Sequence, residues 1–402
     1  MTEPIGNPKS ETSPARFDRI DSPAALADFV RDLAGDRRIA ADLEADSMYH
    51  FQEKVCLLQM ASRDHNVIID PLKLEDLSPL KPIFADSAVQ KVFHGADYDI
   101  RSLHRDFQIT VNNLFDTQIA CRFLGYPETG LEAVLYRHFD ISLDKKYQKK
   151  DWSARPLPPA MLEYAAQDTT YLIPLAERLI QELTDKGRLD WVLEECELLS
   201  RVRAVSDEDE PLFMKFKGAG RLRRRSLAIL ENLLQVRREI ARKKDRPLYM
   251  VFGNRAVLDL VKTKPVTPER LEKSGGLSKK QIGMYGPAVI QAVKDALDLP
   301  EEALPIYPKK KAPPVSPKVP ERVKVLKAWR DRRAEGLEID PAIVCTKSLM
   351  TAIARENPTD VSALAEIEEM RDWQRKAFGE EMIASLPREK PRKGRSRKRG
   401  SR

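Results

Sequence analysis

The chain has 402 residues, 42% of them hydrophobic, and a formal net charge of +7; that length calls for two or three domains, and the apolar share is enough to build packed cores. No apolar run approaches the roughly 18 residues of a membrane span, and the opening MTEPIGNPKSETSPAR lacks the apolar centre of a secretory signal, so a cytoplasmic protein without membrane anchorage is expected. Cys56, Cys121, Cys196 and Cys345 lie far apart without CxxC or Cys/His ligand spacing, which argues against a zinc site or a disulfide framework.

Residues 1–16 are polar and expected to be disordered. From 17 to 204, short apolar runs alternate with helical stretches: RRIAADLEA, KVCLLQMAS, HNVIIDP and QKVFHGA read as strands and SPAALADFVRDLAG as a helix, the pattern of an α/β domain with a mixed sheet flanked by helices. Residues 210–299 form a helical domain, with Leu227, Leu230, Leu234 and Ile240 at helical spacing and Arg and Lys on the remaining face. Seven prolines between 300 and 320, with the run Lys309, Lys310, Lys311, predict an extended linker. A second helical segment, 321–386, weakly echoes the first: WRDRRAEGLEIDP ahead of SLMTAIA resembles VRREIARKKDRP ahead of its own apolar helix. Residues 387–402 hold nine Lys or Arg against Glu389 alone, which leaves the body of the chain nearly neutral. Such a tail is either a nucleic-acid arm or a solvating end.

Three segments carry chemistry. In IAADLEAD, Asp42 and Glu44 are two apart on a strand and point to one face; adjacent acids repel unless a cation sits between them. Asp-x-Glu alone is common in a chain this acidic. In KVFHGADYDIRSL, a strand runs through Phe93 into a glycine turn and Asp99 arrives in the first turn of a helix, although Asp97 or Asp99 there also suits the helix dipole. In PPAMLEYAAQDTTYLIPLAERL, a helix with an expected kink at Pro174 turns Ala165, Ala166, Thr169, Leu172, Ile173 and Ala176 to the core and presents Tyr164 and Asp168, four apart, on another face. A carboxylate can hold a metal there while the phenol orients water.

Together and in this order, these motifs resemble the tyrosine subclass of the DEDD exonucleases. LFDTQIA, LDKKYQKKDWSARPL and EYAAQDTTYL are similar to ribonuclease D and its eukaryotic exosome-associated relatives, and the helical portions resemble HRDC domains. Ala45 stands where many relatives carry Phe, and HGADYDI is nearer to the exosome-associated form. The resemblance implies a ribonuclease H-like exonuclease domain at 17–204, followed by all-α HRDC-type domains at 210–299 and 321–386. It implies a 3′-to-5′ exoribonuclease that releases nucleoside 5′-monophosphates with two Mg²⁺ or Mn²⁺ ions, acting on RNA 3′ ends such as those of tRNA precursors. Asp42, Glu44 and Asp168 would bind the nucleophile-side metal, with Asp42 bridging to the second; Asp99 would support that second metal and Tyr164 would position the water. Two competing expectations are a Werner-type 3′-to-5′ DNA exonuclease and an inactive nucleic-acid-binding adaptor. The absence of a GxxxxGK[ST] helicase motif favours RNA over the first, and the five intact site positions argue against the second.

Overall fold

The computed structural model describes residues 16–74, 76–204, 210–308 and 316–387. The N-terminal 15 residues, the Lys309–Lys311 part of the linker and the basic tail beyond 387 lie outside the described residues.

Counting helices of eight residues or more, the elements of the first half are β1 Asp18–Ile20, α1 Pro23–Asp32, β2 Arg38–Ala45, β3 Val55–Ala61, β4 Asn66–Ile69, β5 Gln90–Phe93, α2 Asp97–Phe107 and β6 Leu114–Asp116, then α3 Thr117–Leu124, α4 Leu131–Phe139, α5 Pro159–Thr170, α6 Leu172–Asp185 and α7 Leu189–Ser200. Helices α8 Arg224–Lys244, α9 Asn254–Thr263, α10 Lys279–Asp298, α11 Val319–Leu337, α12 Lys347–Glu356 and α13 Asp372–Ser385 complete the chain. The described residues pack as two compact units, those within 1–114, 141–173 and 199–311 and those within 115–140, 174–198 and 312–402.

The sheet runs in the order β1-β4-β3-β2-β5-β6. It is mixed: β3 is antiparallel to β2 and β4, whereas β1 is parallel to β4 and β5 to β2. All seven residues of β3, VCLLQMA, are buried, as expected of a central strand covered on both faces. Helix α5 lies across β2, β3 and β4. Pro159 opens it at a position where a missing N–H is harmless, and Ala165, Ala166 and Thr169 are buried beneath it.

The predicted kink at Pro174 takes another form. The helix ends at Thr170, Tyr171 departs from helical geometry (φ −105, ψ 0), and α6 starts at Leu172. Proline has no N–H for the carbonyl four residues back and crowds it, so the interruption falls one turn upstream and Pro174 sits in the first turn of a fresh helix.

The two helical bundles bear out the echo in the sequence as shared backbone structure. Arg237 of α8 donates to the Phe252 carbonyl at 3.2 Å, and Arg330 of α11 donates to the Cys345 carbonyl at 3.4 Å. Both helices end in a left-handed residue, Asp245 (φ 45) and Glu338 (φ 56), and both second helices do likewise, at Lys264 (φ 49) and Asn357 (φ 51). Leu227, Leu230 and Leu234 are buried in the first bundle, where Ile240 is partly buried.

In the second unit, Trp191 stacks on Trp373 with centroids 4.8 Å apart, and the Glu194 carboxylate accepts the Asp372 and Trp373 N–H groups at the start of α13, where the helix dipole favours an anion. Gly125 ends α3 in the left-handed region (φ +82), and a Cβ there would run into the Glu338 carbonyl oxygen. Gly125→Ala is therefore expected to cost about 2 kcal/mol or more from backbone strain and steric clash together. A denaturant midpoint equal to that of the parent protein would refute this packing.

Candidate active site

Strand β2 carries Asp42 opposite Gln59 and Glu44 opposite Leu57 on β3, and the register slips between Glu44 and Ala45. Residues opposite one another in an antiparallel pair share a face, so Asp42 and Glu44 both face the helix α5 side of the sheet. The slip ends the regular ladder and releases the chain into a loop. Buried Asp46 closes that loop by accepting the Lys54 N–H at 2.7 Å.

The loop is fastened from two sides. His50 Nδ1 lies 2.7 Å from the Asp245 carboxylate and its Nε2 lies 2.9 Å from Ser153 Oγ; the Phe51 N–H donates to the same Asp245 at 3.1 Å, and the Tyr249 hydroxyl donates to the Met48 carbonyl at 2.9 Å. The first helical bundle thus holds the segment that follows the Asp42/Glu44 strand.

The turn after β5 delivers two acids with different fates. Asp97 faces outward and pairs with Arg101 at 2.9 Å, which holds its carboxyl below the usual range; Asp99 is only 7% exposed and acts electrostatically on Glu44. Asp97 serves the helix terminus, and Asp99 lies among the buried carboxylates.

Helix α5 presents Tyr164 and Asp168 from above. Tyr164 lies between Trp152 (6.1 Å, stacked) and Tyr147 (5.9 Å, edge-on). Trp152 belongs to a segment that Arg155 pins to the sheet, with bonds of 2.8 and 2.9 Å to both Asp70 oxygens, 2.9 Å to the Cys56 carbonyl and 2.7 Å to the Trp152 carbonyl.

These groups share one electrostatic field. Burial pushes the Asp42 carboxyl up to about 6, and burial together with Asp42, Asp168 and Asp99 pushes Glu44 up to about 10. Burial and Asp42 raise Asp168 well above the carboxylate range, and burial followed by Asp168, Glu44 and Asp42 raises the Tyr164 phenol. Buried acids without a counter-charge hold their protons.

All of these acids offer hard oxygen, with no thiolate or imidazole in the set, a donor chemistry that suits Mg²⁺ or Mn²⁺. Among the described residues, no three such side chains already stand as a closed metal cage. The structure brings the five predicted residues together as a shared field.

One residue went unnoticed in the sequence. Gln59 is fully buried and neither end of its amide has a hydrogen-bond partner. The signal was present, as the sole polar side chain within VCLLQMA.

A 3′-5′ exonuclease family profile matches residues 17–184, and an HRDC domain profile matches residues 226–293 and 320–386. The chain is 30% identical to ribonuclease D of Gluconacetobacter diazotrophicus over 363 residues, covering 89% of this chain and 90% of that one. It is 34% identical to an exosome complex component 10 homolog of Caenorhabditis elegans, over 61% of this chain and 29% of the relative. The crystal structure of Escherichia coli RNase D, described as an exoribonuclease involved in structured RNA processing, superposes with a TM-score of 0.71 at 26% identity, covering 92% of this chain and 98% of that one.

The raised carboxyl groups set a pH dependence for the metal-free protein. A group with a native pKa above its unfolded value binds its proton more tightly when folded. Its contribution is complete below about pH 4 and is lost as pH rises, through about 6 for Asp42 and on toward about 10 for Glu44. In EDTA, Glu44→Gln should therefore melt increasingly above the parent protein as pH climbs from 5 to 9, and Mn²⁺ should narrow the gap. A gap that shrinks with rising pH would contradict the burial of Glu44.

Proposed function

The chain belongs to the ribonuclease D family of 3′-to-5′ exoribonucleases, and we propose that Asp42, Glu44, Asp99, Tyr164 and Asp168 form the centre at which it shortens RNA. The observation that supports this most is the convergence of four carboxylates, borne by β2, α2 and α5, on one electrostatic field beside a phenol.

Members of this family depend on divalent metal; two such ions, bound here, would supply acidity to a water molecule and neutralise charge gathering on the phosphate. The residues do the rest. Asp42, Glu44 and Asp168 would hold the ions from the sheet and the overlying helix, and Asp99 would complete the set from the turn after β5. The Tyr164 phenol keeps its proton at neutral pH because burial and the neighbouring acids disfavour phenolate. It therefore acts as a hydrogen-bonding group that orients water, not as a base. Trp152 and Tyr147 hold its ring. The substrate we assign is the 3′ end of single-stranded or partly structured RNA, with tRNA precursors as the physiological class, released one nucleoside 5′-monophosphate at a time.

Matched 5′-labelled RNA and DNA strands incubated with and without Mg²⁺ or Mn²⁺ test this reading. Metal-dependent shortening of RNA in single-nucleotide steps is expected; preferential cleavage of DNA, or binding without cleavage, would overturn it. Asp42→Asn and Asp168→Asn should each lower turnover by about a hundredfold or more, the scale of losing one charged group that acts on the transition state, while RNA binding persists. Tyr164→Phe should lower turnover with little change in metal affinity. Near-parental turnover in either Asn variant would remove those carboxylates from the mechanism.

A further inference from the structure

Gln59 occupies the central strand β3, is 0% exposed, and both polar atoms of its side chain lack partners. An unpaired buried amide is costly, on a scale of about 1–3 kcal/mol, and native interiors rarely hold one without a reason. Its surroundings narrow the reason. On the same face, its rung neighbours are Asp42 on β2 and Ile68 on β4, and its neighbours two positions away along the strand are Leu57 and Ala61.

The overlying helix α5 buries Ala165, Ala166 and Thr169. Thr169 is already engaged, through its hydroxyl, with the Ala166 carbonyl and Asn66, and Asn66 in turn bonds Thr170. The carboxylates on this face are those of Asp42, Glu44 and, from α5, Asp168; Asp42 shares Gln59's own rung, whereas Glu44 lies opposite Leu57.

We infer that Gln59 is a positioning residue of the metal centre: its amide N–H₂ donates to Asp42 or Asp168 on the side away from the cations and holds the carboxylate in its ligating orientation. This rests on the carboxylate centre assigned above. The logic is the one by which metal ligands are oriented from behind by hydrogen-bond donors, whose removal commonly costs tenfold to a hundredfold in affinity, on the order of what is expected here. It also accounts for an amide, not a hydrocarbon, in a strand that is otherwise apolar.

The test uses the full chain as the parent protein, Gln59→Leu and Gln59→Met, the second closest to glutamine in length. Mn²⁺ titrated into metal-free protein by calorimetry should bind about tenfold or more weakly in both variants. Metal-free melting temperatures should stay equal or rise, because a buried unpaired amide has been removed, and the upward shift on adding a fixed Mn²⁺ concentration should shrink.

In RNA hydrolysis, kcat at limiting Mn²⁺ should fall with KM for RNA unchanged, and saturating Mn²⁺ should restore it. Loss of packing alone would lower the metal-free melting temperature and would not be rescued by metal. Parental Mn²⁺ affinity in both variants, beside a parent protein that binds Mn²⁺ and cleaves RNA, would overturn the role of Gln59 and leave the centre standing. A parent protein that neither binds Mn²⁺ nor cleaves would overturn both.

Discussion

Like charge confined in a dry place is the constraint around which this structure is arranged. Burial raises the proton affinity of Asp42, Glu44 and Asp168; Asp42 raises that of Asp168 further, and Asp42, Asp168 and Asp99 raise that of Glu44. Such a cluster would relax outward if its carriers could move. Here the carriers are a strand inside a six-stranded sheet, a helix entered directly from the neighbouring strand, and a helix seated on alanines. The backbone supplies what the side chains resist, an arrangement in which bound cations would relieve the repulsion.

The same constraint explains why the flanking segments are tied down so heavily. The loop after β2 receives bonds from Asp245 and Tyr249 of the first helical bundle, and through His50 it reaches Ser153. Arg155 then fixes the Ser153 neighbourhood to the sheet through Asp70 and Cys56. Trp152 and Tyr147, from that same stretch, hold Tyr164. A continuous set of contacts therefore runs from the bundle to the phenol. Residues remote from the carboxylates thus fix where Tyr164 stands.

Much of the site was legible in the sequence because its parts follow backbone periodicities. Asp42 and Glu44 share a face because strands alternate, and Tyr164 and Asp168 lie on one helical stripe; neither inference needs tertiary contacts. Choosing between Asp97 and Asp99 did need them: both sit in the first turn, and only the Arg101 pair outside and the carboxylate field inside separate them. The break at Tyr171 was displaced from Pro174 because proline acts on the turn before it. Gln59 escaped notice because an isolated polar residue in an apolar strand acquires meaning only once its rung partner is known. His50 escaped for a similar reason, since Asp245 is 195 residues away.

The paired bundles show which features of a repeated unit are held and which are released. The long helix, the arginine that reaches back to a carbonyl after the turn, and the left-handed residues at both helix ends recur in each copy. These are backbone requirements: a helix that stops without satisfying its last carbonyls, or a corner that cannot turn, fails in any copy. The side chain at the corner carries no such duty. In the first bundle it is Asp245, whose carboxylate reaches His50 and the Phe51 N–H beside the active-site strand; in the second it is Glu338, whose carbonyl lies against Gly125. The same left-handed corner has thus been put to two uses, a polar latch on the loop after β2 and a close backbone contact on a helix end. The repeat is faint in the sequence because what the copies share is conformational, while side chains changed even where they are buried, as at Phe252 and Cys345.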